Sequence, residues 1–438
     1  MKSLKLVSAL FLCGVTLVMV LSVFSCKKDK ETALPNIEFL SPSDYQSFII
    51  PDSIHVVANI TCDDEITAID VKLVDENFVP VGHTMSFLPN VKAYKLDVFY
   101  YIYESQLPSG KYYVEISAHS SNNSKYKQKE IQITGIPRKL KSLLIFTRNN
   151  VNTTALYMAD SLMQMTLKGL LPCDYGQSYL SSSNNSISLA GKGIGLLSYY
   201  DLVSNTTLWT QSNPSTYSLP FYVHLSPVSK DILLAGCSDG LIREFDTDGT
   251  YRVFSDFTAS KYPLRICKFK NYIAANVLTK SNFDSYLKIL YYPSGSVYQE
   301  KQITFRVADM YALDDDRIIL FGNTGSIGSI NTYRISTNTI SSSHSFPAEK
   351  IVNVVNIDSL NYLISTTNNI FWYDAETNTM SSFLNNISSV KIRYEDLSNQ
   401  IFVGQTHQIS VYSFPGGVLK NTYSVSDSLV DCQFLYTR

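Results

Sequence analysis

From residue 140 onward the chain repeats itself, and that repeat restricts its fold more than any other feature. Short apolar runs recur at Leu143-Leu144-Ile145-Phe146, Ile187-Ser188-Leu189-Ala190, Ile232-Leu233-Leu234-Ala235, Tyr272-Ile273-Ala274-Ala275, Ile318-Ile319-Leu320-Phe321, Tyr362-Leu363-Ile364-Ser365 and Ile401-Phe402-Val403-Gly404. Measured between Leu144, Leu189, Leu233, Ile273, Ile319, Leu363 and Phe402, the intervals are 45, 44, 40, 46, 44 and 39 residues. Each interval is the length of one four-stranded sheet, a unit that cannot bury its faces alone and so stacks radially on its neighbours. Seven anchors predict a seven-bladed β-propeller over residues 140–438.

A second landmark follows most anchors, an aromatic strand ending in a turn: Tyr199-Tyr200-Asp201, Phe245-Asp246-Thr247-Asp248-Gly249, Tyr291-Tyr292-Pro293-Ser294-Gly295 and Tyr373-Asp374-Ala375-Glu376-Thr377-Asn378. Asp, Asn and Gly supply the side-chain hydrogen bonds and positive φ that a tight hairpin demands. Many of the 30 tyrosines thereby acquire a structural place. The first blade begins at its second strand, Leu143 to Phe146, whereas the chain ends with one strand too many, Leu429 to Tyr436. That surplus strand matches Leu264-Arg265-Ile266-Cys267-Lys268-Phe269 in pattern. It is expected to complete blade one, tying the ends of the ring together and removing an exposed sheet edge.

Residues 35–136 read as a small β-sandwich. Ile54 to Ile60 and Ala68 to Leu73 alternate with period two, and turn residues separate such runs. In Leu107-Pro108-Ser109-Gly110-Lys111-Tyr112-Tyr113-Val114-Glu115-Ile116-Ser117-Ala118, a turn launches a strand. Its Tyr112, Val114, Ile116 and Ala118 face the core, and Glu115 and Ser117 are expected to face water. Gly135-Ile136-Pro137 then marks the boundary with the propeller. The strand after the Pro-Ser-Gly turn resembles the penultimate strand of immunoglobulin-like and fibronectin-like modules of bacterial surface proteins. The fold class is accordingly all-β, an immunoglobulin-like sandwich followed by a propeller.

At the N-terminus, Lys2 and Lys5 precede an apolar stretch from Leu6 to Val23, the pattern of an export signal. It stops at Val23-Phe24-Ser25-Cys26, and Lys27-Lys28-Asp29-Lys30-Glu31 follows. This resembles the lipobox of bacterial lipoproteins, which implies a signal peptide over 1–25, acylation of Cys26 and a tether over 26–34. Several acyl chains, including palmitate, would hold the body durably on a bilayer where one chain binds only marginally. The charged run resembles signals that send some Gram-negative lipoproteins to the outer face of the outer membrane. Both the cell surface and the periplasmic side remain open. Four Asp-Ser-aliphatic triplets, beginning at Asp52, Asp160, Asp358 and Asp427, resemble an O-glycosylation sequon of some Gram-negative exported proteins.

Composition removes other classes. With 36 basic against 38 acidic residues, the chain lacks the clustered cation excess that neutralises nucleic-acid phosphates. A hydrophobic fraction of 45% argues against disorder. Setting Cys13 and Cys26 aside, Cys62, Cys173, Cys237, Cys267 and Cys432 show no metal spacing and read as buried small hydrophobes.

Residues 140–438 resemble the seven-bladed propellers of the WD-repeat and quinoprotein-like superfamilies. Trp372-Tyr373-Asp374 stands nearest to the WD dipeptide, and Asp201 to Trp209 resembles the Asp-turn-Trp repeat of quinoproteins. The resemblance implies a fold and no particular chemistry.

Candidate catalytic motifs dissolve on this frame. Gly236-Cys237-Ser238-Asp239-Gly240 has the nucleophile-elbow pattern but joins two strands rather than strand and helix. Gly191-Lys192-Gly193-Ile194-Gly195 is a turn with no helix behind it, and Asp314-Asp315-Asp316 is a solvated turn. No catalytic set, metal site or cofactor site emerges. Function is expected on the propeller face that gathers the loops between blades and those between second and third strands. There Arg148, Tyr175, Tyr217, Lys261, Tyr262, Arg306 and His407 offer aromatic platforms and donors suited to a glycan or a protein loop. Asn276 to Asp284 is read as an irregular insertion able to overhang the channel. Three classes follow: a lipid-anchored binding protein, a periplasm-facing assembly scaffold, or a hydrolase or lyase using channel residues. The last requires carboxylates, histidine or arginine gathered in the channel, and a channel of apolar and hydroxyl residues would exclude it.

Overall fold

The computed structural model describes residues 34–437 except 77, 105, 122, 151, 194–195 and 213–219. The signal segment, Cys26, all of the tether but Leu34, and Tyr217 lie outside the described residues. Every regular element among the described residues is a β-strand. The chain divides into two compact units, one ending at Pro137 and the other Arg138–Arg438.

The first unit contains β1 (Asn36–Ser41), β2 (Gln46–Ile49), β3 (Asp52–Val74), β4 (Pro80–Phe87), β5 (Val91–Ile102), β6 (Gly110–Ser120) and β7 (Ser124–Thr134). The two runs read as separate strands from their alternation are one strand of 23 residues, β3. Its first half pairs with β5 and β1, and its second half with β6 and β4. The register changes between Thr61 and Ile66, so one chain segment serves two neighbourhoods. Alternation holds on each side of that change: Ile54, Val56, Ala58 and Ile60 before it and Ile69 and Val71 after it are all fully buried in a single core. On β6, Tyr112, Val114, Ile116 and Ala118 join that core as expected. Glu115 does not face water. It is covered by Lys72 at 2.9 Å and by Gln128, whose Nε2 donates to it at 2.7 Å. Burial alone would raise its pKa, and those two donors turn the shift downward.

The second unit is a ring of seven four-stranded antiparallel sheets. The last strand, Ser428–Tyr436, pairs with Leu140–Asn150 and so supplies the missing innermost strand of blade one. The other innermost strands are Tyr175–Ser181, Tyr222–Pro227, Lys261–Phe269, Arg306–Ala312, Ile351–Asn356 and Lys391–Glu395. Second strands are almost wholly buried, as in Ser186–Gly191. A separate hydrophobic core fills each junction between adjacent blades. The closing junction is one of these, with Phe402, Ile409 and Val411 of blade seven packed against Leu143, Ile145, Leu429 and Cys432 of blade one.

The aromatic turns behave as their residues require. Asp201 accepts from the Val203 and Ser204 amides, and Asp374 from those of Glu376 and Thr377. Trp209 stacks between Tyr199 of its own blade and Phe245 of the next, and its indole donates to the Thr247 carbonyl at 2.9 Å. The segment Asn276 to Asp284 is not an overhang. Asn276 lies in the strand Tyr272–Thr279, fully buried, and its side chain bonds Ser285, the Tyr286 carbonyl and the Val307 amide.

Candidate functional site: the channel of the propeller

Strand register shows which residues share a rim. Tyr175 pairs with Gly191, Lys261 with Thr279, Arg306 with Asn323, Lys391 with Gly404 and Ser428 with Arg148. The starts of the inner strands and the ends of the second strands therefore lie at one end of the ring. Arg148, Tyr175, Lys261, Tyr262 and Arg306 sit there, and His407 lies exposed in a turn at the same end.

Only two of them line the central cavity, Arg148 and Tyr175. Tyr175 and Tyr262 are no exposed platforms, at 8% and 5% exposure. Lys261 lies over the Tyr286 ring at 5.1 Å, and the exposed Arg306 over Phe283 at 4.8 Å beside a separate groove that includes Lys350.

The cavity itself has a volume of about 570 Å³ and takes residues from all seven inner strands. A repeated device shapes it. In six inner strands the register shifts by one residue, and the residue after the shift is Gln177, His224, Arg265, Asp309, Asn353 or Asp431. A bulge bends the strand and re-aims the side chain that follows it. Blade seven shows no shift there; Lys391, which faces Gly404 opposite Ile409 as His224 faces Gly236 opposite Ile242, occupies the corresponding place, and Arg393 follows two residues on. Each blade thus sends at least one polar residue to the channel, and blade seven two.

These side chains stitch each blade to the next. Gln177 accepts from the Leu225 amide at 3.1 Å, His224 Nδ1 from the Ile266 amide at 3.2 Å, and Asn353 from the Ile392 amide at 3.0 Å. Arg265 Nε donates to the Ala308 carbonyl at 2.7 Å, and Tyr311, bonded to Asp309, donates to the Val354 carbonyl at 3.2 Å. Arg393 Nε donates to the Cys432 carbonyl at 2.8 Å, while its Nη2 contacts both oxygens of Asp431 at 2.8 Å. Asp431 completes the circuit by accepting from the Tyr175 hydroxyl at 2.5 Å.

Electrostatics follow from this crowding. Burial works to raise the Asp431 pKa, but the charges of Arg393 and Lys391 and the Tyr175 hydroxyl hold it below the usual carboxylate range. Asp309 goes the other way: burial dominates over Arg265 and the Tyr311 hydroxyl, and its pKa rises. Burial, with Arg265 and Lys391 adding to it, pushes His224 well below its ordinary value, so the imidazole is neutral at pH 7. Because its Nδ1 accepts a hydrogen bond, its proton sits on Nε2. Lys391 is depressed by burial and by the Arg393 charge.

The remaining sequence motifs are accounted for locally. In Gly236 to Gly240 the Ser238 side chain is fully buried, burial pushes Cys237 up to about 12, and Gly240 turns the hairpin at φ +97°. The amides of Lys192 and Gly193 bind the carboxylate of Asp174 at 3.1 and 2.6 Å, so that glycine turn already holds an anion of its own chain. Asp314 caps its own turn and pairs with Arg317, Asp315 pairs with Lys270, and Asp316 binds Ser336 and Arg334. Among the described residues no group of His, Cys, Asp or Glu is placed to hold a metal.

The charged channel residues escaped the sequence reading although their strands were in view. Lys391 and Arg393, Arg265 and Asp431 interrupt otherwise apolar inner-strand patterns, and one such polar residue recurs at blade spacing. That recurrence was the signal.

No protein-family model matches this chain, and no curated protein does. Among solved structures it is similar to a chain of the COPII outer-coat vertex on membranes, with TM-score 0.51, 13% identity and coverage of 66% of this chain and 89% of that one. It is also similar to a quinoprotein alcohol dehydrogenase-like protein from Bacteroides thetaiotaomicron, with TM-score 0.45, 9% identity and coverage of 91% and 99%. A dihydro-heme d1 dehydrogenase gives TM-score 0.46 at 13% identity over 66% of this chain and 64% of that one. The first of these likenesses carries the fold, and none carries a ligand or a reaction. The chain is an all-β protein whose second unit is a seven-bladed β-propeller with a polar, charged channel.

Proposed function

We propose that this is an exported lipoprotein, acylated at Cys26 and held on the outer membrane at the cell surface, that binds a glycan or protein partner through the channel end of its propeller. The N-terminal unit serves as an immunoglobulin-like spacer. One observation supports binding over catalysis. The two channel carboxylates, Asp309 and Asp431, accept hydrogen bonds from Tyr311 and the Met310 amide, and from Tyr175, Arg393 and the Cys432 amide. A general base needs a free lone pair within reach of a substrate proton; Asp431 spends both oxygens on four hydrogen bonds that clasp blades seven, one and two, and His224 spends Nδ1 on the Ile266 amide, whereas Asp309 accepts only two, from its own strand. The channel is charged, so the hydrolase or lyase reading is not removed by an apolar lining. It is disfavoured because Asp309 is left without a second free acid or base as its partner.

Two measurements test this. Protease added to intact cells expressing the full chain should cleave it, and complete protection would place it facing the periplasm. The purified full chain in detergent, screened against glycan and protein arrays, should retain at least one ligand without turning it over. Turnover of a retained glycan would overturn the non-catalytic reading.

A further inference from the structure

The channel cavity is rich in hydrogen-bond donors that the fold does not use. Five Lys or Arg residues line it against two carboxylates, in a chain whose net charge is −2. The fold draws on these groups unequally. Asp431 accepts four hydrogen bonds, and Asp309 two from its own strand. Arg393 spends Nε and Nη2 and keeps Nη1, while Arg265 spends Nε and Nη1 on two carbonyls and keeps Nη2. Neutral His224 carries a proton on Nε2 that donates to nothing among the described residues. Asn353 accepts through Oδ1, and its amide nitrogen is unspent there.

Lys391 is the extreme case. It begins the inner strand of blade seven and lines the cavity, and its ammonium makes no hydrogen bond or ion pair among the described residues. At the corresponding position the other six blades hold Gln177, His224, Arg265, Asp309, Asn353 and Asp431, of which Gln177, His224 and Asn353 bond the next blade without charge, so ring building does not require a cation there. Lys391 is half-buried, and the Asp309 and Asp431 carboxylates that act on it are offset by the Arg265 and Arg393 guanidinium groups, so its ammonium keeps room for a further counter-charge.

We infer that the channel is a binding site for an oxyanion group, carboxylate or phosphate, carried by a ligand of one or two sugar units, with Lys391 as its principal charge partner. Three cations and two neutral donors from blades three, four, six and seven converge on it. A cavity of about 570 Å³ is within the size range of small-molecule sites. The exposed Arg148 stands at the open end. Charge-assisted hydrogen bonds are the strong ones. This deepens the binding reading above, on which it rests, by naming the chemistry that is bound.

Calorimetric titration of the full chain in detergent tests it, with glucuronate, glucose 6-phosphate, inorganic phosphate and neutral glucose as the probes. Glucuronate or glucose 6-phosphate should bind, glucose at least about tenfold more weakly, and affinity should fall with added salt. Glucuronate binding without glucose 6-phosphate identifies a carboxylate site, and the reverse a phosphate site. Inorganic phosphate binding as tightly as the sugar phosphate would overturn the claim of a sugar-sized ligand. Lys391→Met, which breaks no hydrogen bond of the fold but removes a charge that favours the Asp431 carboxylate, should stay folded with at most a modest fall in melting temperature and weaken the anion by about 30-fold or more. Unchanged affinity in a folded Lys391→Met protein, or equal binding of glucose, would overturn the inference. Failure of every anion while a neutral glycan or a protein is retained on the arrays would overturn it and leave the binding reading standing. Failure of the arrays as well would remove both.

Discussion

Replacing Asp431 with Asn should destabilise the propeller far more than its single lost charge suggests. The Asp431 side chain is 5% exposed and that of Arg393 28%, and the pair joins blade seven to blade one at the point where the ring closes. Removing the carboxylate charge leaves a guanidinium in a recess with Lys391 and Arg265 nearby and one fewer anion to offset them. Breaking one side of a buried ion pair costs about 3–5 kcal/mol. Arg393→Met alone leaves a buried carboxylate that retains Tyr175 and Lys391 nearby, and should cost somewhat less. The double variant removes both charges, so its loss should fall short of the sum by about 2 kcal/mol or more. Both tryptophans, Trp209 and Trp372, belong to the propeller, so intrinsic tryptophan fluorescence in a denaturant titration reads that unit and not the other. The pH dependence supplies an independent check. Asp431 has a depressed folded pKa, so its contribution is present above the unfolded carboxylate value of about 3.9 and lost as pH falls through the folded one. Wild type should therefore lose stability below about pH 4 more steeply than Asp431→Asn. Single-variant costs that simply add, together with identical acid slopes, would refute the assignment of this pair as the clasp of the ring.

Truncation after Ser428 removes Leu429, Cys432 and Leu435, all buried to within 2%, and exposes the edge of Leu140–Asn150. Two buried leucines alone amount to about 3–6 kcal/mol, a large part of any domain's stability, so the fluorescence transition should lose its cooperativity; an unchanged transition would contradict closure by this strand. Gly295 has φ +72°, and a Cβ there would stand 1.7 Å from the Phe254 carbonyl oxygen of the preceding blade, whereas Gly325, at φ +59°, has open space around it. Gly295→Ala should thus lower the denaturation midpoint well beyond the roughly 1 kcal/mol of backbone strain expected for Gly325→Ala, and equal effects would count against that contact. Intact mass of the mature protein should show loss of residues 1–25 and acyl additions at Cys26, and an unprocessed N-terminus would contradict lipidation.

The propeller was legible because its repeat is carried by second strands such as Ile187 to Ala190, which are buried in every blade and therefore apolar in every blade. Closure was legible for a related reason: Leu429 to Tyr436 has inner-strand alternation and no partner within its own repeat. The first unit was harder. Period-two alternation identifies strand faces but carries no information on continuity, so the polar stretch Thr61 to Glu65 read as a gap when it is the register change within β3. Glu115 was misplaced because alternation assumes one wet face, whereas Lys72 and Gln128 from the flanking strands cover it. Arg148, Tyr175, Lys261, Tyr262, Arg306 and His407 lie at one end of the ring, yet which of them face the cavity depends on bulges, and a bulge inverts side-chain phase without changing composition.

The same bulges explain how a near-neutral repeat protein comes to own a concentrated positive site. Six blades contribute one polar residue at the bend of the inner strand and blade seven contributes Lys391 and Arg393, and for Gln177, His224, Arg265 and Asn353 the contribution in isolation is an ordinary hydrogen bond to the next blade's backbone. Ring closure brings these residues to a common axis, so identity at each position is chosen under two demands, stitching the junction and setting the field of the channel. Gln177 and Asn353 meet the first demand with no charge. Arg265 meets it with a carbonyl bond that a neutral donor would satisfy equally well, Arg393 meets it with its charge through Asp431, and Lys391 makes no hydrogen bond among the described residues. The charges of Arg265 and Lys391 are therefore surplus to construction. In a recess that penalises unpaired charge, such a surplus is expected where selection acts on a bound anion, and not where it acts on the ring alone.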